Sequence, residues 1–452
     1  MPAKAETRTI VIPDNYSTIE AAIANANNGD ILFLRKGTYE GPINQTLVIG
    51  KTLSILGESR EGTTIKLHPA YNSSWILTAQ FFSYTDAITI TADAFRLNNL
   101  TIVIASPGGY ISAIGNEIQI AGSNITTGSS TGVAINGSYC KITDNVMDGF
   151  VHLNGTFNEV ARNSLYNIYT EGSFNFIKNN TCQCLWVANS TNNVFLGNKV
   201  STDSRSYSGV DLTWSHNNFF YKNRLSGFSS GFRLWFSSGN IIMANTIADS
   251  LHASISLGGS SDNRIYLNNF VDNMFEFSPY VYDDYTDPNY RSSFSSMAAS
   301  VNVWDNGSFG NYWANYNGTD ANVDGVGDSP YTIKQIVYDR NQSKLDFICG
   351  QDNFPFMARI DIDNVIIQLP EWVSNLPLEP QPIQPQIKEP ISQEPESATP
   401  SLNPSPEPQE SESEQSLPFP VVPVVAASAI VVAVVGAGLL VYLKKRHKKA
   451  AD

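Results

Sequence analysis

Asp211 and Arg233 stand 22 positions apart, with Trp186 ahead of the pair and Trp235 two residues after the arginine. An acid, a guanidinium and two indoles suit a sugar, whose apolar ring face stacks on indole while its hydroxyls bond to carboxylate and guanidinium. Thr213, Tyr207 and His252 lie near enough in the chain to join them. A β-elimination lyase would also use an arginine, as base or charge stabiliser, beside an acid that holds a metal. A third reading makes Asp211 and Arg233 an ion pair between neighbouring strands, worth under about 1 kcal/mol, with the tryptophans covering the chain. A glycoside hydrolase needs two acids at set separations. Asp211 stands almost alone, since Asp203 and Asp249 fall in turn sequences.

A second constellation is Asp320-x-Asn322-x-Asp324-Gly325-x-x-Asp328, which puts oxygen ligands at alternate positions with a glycine at the sharp turn, as calcium loops do. Tyr331 occupies the position where an EF-hand carries its bidentate Glu, so a complete EF-hand is excluded. A weak structural Ca2+ site and a plain Asx-turn loop both remain open. Cys140, Cys182, Cys184 and Cys349 show no metal spacing and no dense disulfide framework.

The elements that must position these residues come from a repeat. NEVARN (158–163), NFIKNN (175–180), NVFLGN (193–198), NFFYKN (218–223), NIIMAN (240–245) and NRIYLN (263–268) share one frame, with Asn at the first and sixth positions. Their starts are separated by 17, 18, 25, 22 and 23 residues, and CKITDN, EIQIAG and AFRLNN extend the frame backwards. The third position is always apolar (Ile142, Val160, Ile177, Phe195, Phe220, Ile242, Ile265), and so is the eighth (Met147, Leu165, Cys182, Val200, Leu225, Ile247, Phe270). Apolar alternation on such short segments predicts strands with one buried face. A β-propeller blade needs about 40 residues, so the unit here fits one coil of a solenoid instead. Like residues in successive coils then stack at about 4.8 Å. Asn145, Asn163, Asn180, Asn198, Asn223, Asn245 and Asn268 are expected to form an internal ladder of amide hydrogen bonds.

Aligning the coils on the first Asn also aligns the preceding strand. Seven positions before it, the outward column reads Val133, Val151, Ile168, Trp186, Asp211, Arg233 and Ser256, and five before it come Thr213 and Trp235. Asp211 and Arg233 are thereby expected one above the other, with Tyr207 and His252 arriving from nearby turns. Solenoid ends need covering. Ser17-Thr18-Ile19-Glu20 reads as a capping box, and Ile19, Ala22, Ile23 and Ala26 form the apolar face of a short helix that would plug the first coil.

The stretch TIEAAIANANNGDILFLRKGTYEG, the N-x-x-x-x-N coils and the ending GNYWANYNGTDANVDGVGDSPYTI together resemble the NosD-like family, part of the carbohydrate-binding and sugar-hydrolase class with a pectin-lyase-like fold. The resemblance covers nearly all of residues 10–357 and implies a right-handed parallel β-helix. Folds of this kind host lyases, hydrolases, binders and copper-site maturation proteins, so activity must be argued from the site. A copper role would call for grouped Cys, Met or His. His68, His152, His216, His252 and His447 are scattered, as are the six Met.

From Phe419 to Leu443 the chain runs without a charge, long enough for a helix to cross a bilayer core of roughly 30 Å, and then meets Lys444, Lys445, Arg446, Lys448 and Lys449. That basic stop places the tail in the cytoplasm and the rest outside. Residues 377–418 are rich in Pro, Glu, Gln and Ser and are expected to form an extended acidic stalk. Stalk and tail resemble those of archaeal surface proteins. The first residues, MPAKAETRTIVIP, carry no apolar stretch of the export-signal kind, so the start is either misplaced or that of a processed form. Twelve N-x-S/T sequons suggest a glycoprotein. A net charge of -14 with only 28 Lys and Arg argues against a nucleic-acid partner.

The expected architecture is all-β: a single-stranded right-handed parallel β-helix with an N-terminal helical cap, plus one transmembrane α-helix. The divisions are a cap over 1–30, coils over 31–275, an irregular C-terminal cap over 276–376, the stalk over 377–418, the membrane helix over 419–443 and the cytoplasmic tail over 444–452. The expected function is a membrane-anchored surface protein that binds or organises polysaccharide or glycoprotein. The alternatives are a calcium-assisted lyase of acidic polysaccharide or another carbohydrate-active enzyme such as a glycoside hydrolase, and a rigid adhesin or envelope spacer.

Overall fold

The computed structural model describes residues 7–70, 86–105, 109–127, 132–203, 207–271, 281–283, 301–338 and 344–376, with side chains for all but 281–283, 334–338, 344–347 and 349. The expected stalk (377–418), membrane helix (419–443) and tail (444–452) lie outside these residues. So does all of the second of two compact units, Pro390–Asp452. No helix among the described residues is long and apolar enough to cross a membrane.

Within the coils every strand pairs in parallel, most often with the third strand onward, which is the signature of a three-sided coil, while Tyr331–Tyr338 and Lys344–Asp352 form a separate antiparallel pair. Ile31–Leu34 belongs to a first sheet of 12 strands, Gly37–Ile43 to a second, and Leu47–Ile49 to a third sheet of 11, before Ser54–Gly57 returns to the first. The second side consists of five-stranded and six-stranded sheets, linked through Ser164, which bridges to Val146 and Thr181. The two apolar columns read from the repeat line the interior. Ile142, Val160, Ile177, Phe195, Phe220, Ile242 and Ile265 are all fully buried, and the Phe195 and Phe220 rings stack at 4.6 Å.

The asparagine ladder forms at the corner between the first and second sides. Asn180 Nδ2 donates to Asn198 Oδ1 at 3.0 Å, and Asn198 Nδ2 donates to Asn223 Oδ1 at 3.0 Å and to the Ile177 carbonyl at 2.9 Å. The residue before each ladder Asn bends the chain by taking a left-handed conformation, with φ of 57° at Arg162, 54° at Asn179, 65° at Gly197 and 54° at Lys222. The ladder runs beyond Asn268 to Asn311. The first Asn of each frame builds a second ladder at the corner after the third side, through Asn158, Asn175, Asn193, Asn218, Asn240, Asn263 and Asn302. Ser190, Ser215, Ser237 and Ser260 add a third, shorter one.

The N-terminal helix spans Ile19–Asn25 and buries Ile19, Ala22 and Ile23 as expected. Its cap lies one residue later than the capping box implied, because Thr18 accepts from the Ala21 N–H at 3.2 Å. At the other end, Ile360–Leu376 lies against the outer face of the first sheet. Asp363 pairs with Arg224 at 2.6 Å, Ile362 is buried against Tyr221 and Met243, and Trp372 meets Phe157 and Phe174 edge-on.

Candidate functional site

The third sheet carries the candidate site on strands Cys184–Ala188, Ser208–Thr213, Ser230–Trp235 and Ala253–Gly258. Their register sets Trp186 beside Asp211, Asp211 beside Arg233 and Arg233 beside Ser256. The parallel column sets Thr213 beside Trp235 and Trp235 beside Gly258. Gly258 makes room for the indole, since a Cβ there would collide with the Trp235 ring.

Arg233 Nε donates to Asp211 Oδ2 at 2.9 Å and Nη2 lies 2.7 Å from the same oxygen, while Nη1 has no partner among the described residues. The pair is asymmetric: the Asp211 side chain is 9% exposed and that of Arg233 45%. Burial pushes the Asp211 carboxyl above its ordinary range, and the attraction of Arg233 offsets only part of that rise. Trp186 is 39% exposed and Tyr207 62%. His252 is exposed as well, and the Ser229 backbone links the two turns by donating to the Tyr207 carbonyl and accepting from the His252 N–H. Indole surface, a half-exposed guanidinium and a sunken carboxylate can hold a hydroxyl-rich ring.

The outward column departs from the sequence reading in its earlier coils. Val133, Val151 and Ile168 point inward and are fully buried, and their neighbours Ala134, His152 and Tyr169 continue the column that leads to Trp186. The cause is one extra corner residue. Seven positions separate Val133, Val151 and Ile168 from the aligned frame position, whereas eight separate Leu185, Val210, Phe232 and Ile255 from theirs. A fixed offset therefore reads the wrong strand parity in the short-cornered coils. Tyr169, whose ring lies 5.5 Å from Trp186, and Phe150, 5.2 Å from Tyr169, were missed for this reason. Cys184 was also missed. It lies two residues before Trp186, with Sγ 3.1 Å from the Ser208 carbonyl oxygen.

The Asp320–Asp328 loop lies elsewhere, in the C-terminal cap. Asp320 accepts from the N–H groups of Asp324 and Gly325, Asp324 from that of Val326, and Asp328 from that of Ala321. Its carboxylates thus close Asx turns on backbone donors.

Residues 89–318 match the family described as NosD, periplasmic copper-binding protein. The chain belongs to the NosD family. No curated protein sequence matches it. Among solved structures it is similar to the A-module of Azotobacter vinelandii mannuronan C-5 epimerase AlgE6, at 14% identity and a TM-score of 0.46 over 63% of this chain and 88% of that one. The AlgE4 A-module of the same organism aligns at 15% identity and 0.45 over 63% and 89%. A mannuronic acid specific polysaccharide family 6 lyase from human gut microbiota aligns at 11% identity and 0.41 over 62% and 82%. The NosD match and the parallel three-sided coil identify the fold as a right-handed parallel β-helix of the pectin-lyase type.

The family description implies copper, and the described residues of this chain do not fit it. They contain no group of three His, Cys, Asp or Glu placed to hold a metal. Burial pushes the thiols of Cys140 and Cys182 up to about 11 and about 12, and that of Cys184 well above its ordinary value, which disfavours the thiolate that a metal would need.

Proposed function

We propose that this NosD-family chain is a membrane-tethered β-helix, displayed outside the cytoplasm, that binds polysaccharide on the outer face of its third sheet without cleaving it. The observation that carries the reading is the register Trp186, Asp211, Arg233 on three successive coils, with the arginine half-exposed over a sunken carboxylate. Such a column offers stacking and directional hydrogen bonds at intervals of about 4.8 Å. The uncharged run 419–443, its basic stop and the acidic stretch 377–418 support a tether and a stalk. A lyase lacks support at this place, because among the described residues no group of three His, Cys, Asp or Glu is placed to hold a metal there.

The full-length protein in detergent should bind on an array of polysaccharides, and Trp235→Ala should weaken that binding about ten-fold. Absence of binding across neutral and acidic polymers would remove the reading. Release of unsaturated ends from uronate polymers with calcium present, followed by ultraviolet absorbance, would replace it with the lyase.

A further inference from the structure

The corner after the third sheet carries a feature that the ligand column does not explain. In the longer-cornered coils the residue following that strand takes a left-handed conformation, with φ of 48° at Asn189, 51° at Trp214, 50° at Phe236 and 58° at Gly259. Asn and Gly adopt this region at little cost, whereas bulky aromatic residues adopt it at a higher one. Two adjacent coils nonetheless place aromatic rings there. The Trp214 and Phe236 rings are parallel to within 3° at 4.2 Å, and Trp214 remains 52% exposed. Backbone bonds hold the register, with Asn189 N donating to the Thr213 carbonyl and Trp214 N to the Trp235 carbonyl. A costly conformation retained for an exposed side chain points to use rather than packing.

We propose that the Trp214–Phe236 stack is a second saccharide platform, seating another sugar residue of the polysaccharide held at Asp211 and Arg233. This rests on the binding reading above. Trp214 follows Thr213 and Phe236 follows Trp235, so the platform continues the column of Thr213 and Trp235 without a break. Trp235 stands between Arg233 and the stack, its ring perpendicular to Phe236 at 5.5 Å. Arg233 to Trp235 is two residues of strand, roughly 7 Å, which is the scale of one sugar ring. The bound polymer therefore runs along the strand direction, over the two neighbouring coils of Asp211 and Arg233, from that pair over Trp235 to the corner stack. Tyr139, Phe157 and Phe174 form a similar corner stack elsewhere, but there the chain's own Trp372 meets Phe157 and Phe174.

The test measures binding of cello-oligosaccharides and oligogalacturonates, from disaccharide to octasaccharide, to the full-length protein in detergent. Trp214→Asn, which installs the residue of the neighbouring coil, should leave disaccharide affinity within about two-fold and weaken the octasaccharide about ten-fold, while Trp235→Ala weakens both. The melting temperature of Trp214→Asn should not fall, since Asn suits the conformation better. Wild-type affinity for Trp214→Asn at every length, or equal weakening at every length, overturns the second platform and leaves the first site standing. If wild type binds neither series, the platform falls together with the reading it rests on.

Discussion

Asn311 donates from its backbone N–H at 2.7 Å and from Nδ2 at 3.3 Å to Oδ2 of Asp352, so the asparagine ladder of the β-helix terminates in a carboxylate. Each amide in the ladder gives to the next, and the last needs an acceptor that gives nothing onward. Asp352 also accepts from Trp313 Nε1 at 2.8 Å and from the Phe354 N–H at 3.1 Å. Despite these donors, burial pushes its carboxyl up to about 6.

That shift sets a pH dependence with a definite sign. A carboxyl raised from 3.8 to about 6 on folding binds more protons in the folded state between those values, so its contribution to stability grows as pH falls through 6 and levels off below 3.8. The gain is on the order of 3 kcal/mol. Denaturant titrations at pH 7 and pH 5 should show wild type gaining relative to Asp352→Asn, which continues the ladder with a neutral amide. Parallel pH profiles for the two proteins would refute the assignment.

Asn198→Leu should cost several kcal/mol. It removes the donor to the Ile177 carbonyl and the acceptor for both the backbone N–H and the Nδ2 of Asn180, each buried group left unpaired costing about 1 to 3 kcal/mol. Asn317, exposed in the cap, tolerates the same change within about 0.5 kcal/mol. Thermal melts of the two variants decide it, and equal losses would mean that the ladder carries no stability.

The Asp211–Arg233 pair should respond asymmetrically. Arg233→Ala leaves a sunken carboxylate without its cation, whereas Asp211→Asn leaves a half-exposed guanidinium that water can solvate. Arg233→Ala should therefore destabilise the protein by about 1 to 3 kcal/mol at neutral pH, more than Asp211→Asn does. The reverse order in chemical denaturation would contradict the burial of Asp211.

The loop of Asp320, Asn322, Asp324 and Asp328 should hold its shape through backbone donors. Adding Ca2+ or a chelator is expected to leave the melting temperature within about one degree, while Asp320→Ala lowers it by removing the acceptor for Asp324 and Gly325. A calcium-dependent rise of several degrees would instead establish a structural ion site.

The strand alternation, the assignment of one coil to each repeat and the Asn145-to-Asn268 ladder were legible from the chain alone, because a solenoid repeats one local pattern and stacking then follows from periodicity. The meeting of Asp211 with Arg233 was legible for the same reason, one coil being one repeat. The uncharged run 419–443 is read as a membrane helix from length and composition alone and lies outside the described residues. What lies between repeats was not legible. Strand parity alternates with every residue, so the single additional corner residue that begins at Asn189 decided whether Val151 or His152 faces outward. Features used once, such as Asp352 ending a ladder 41 residues from Asn311 or Ile360 bonding to Asn269 across 91, have no period to betray them. They were decided by the tertiary structure, since only folding brings a lone acceptor to an unpaired donor.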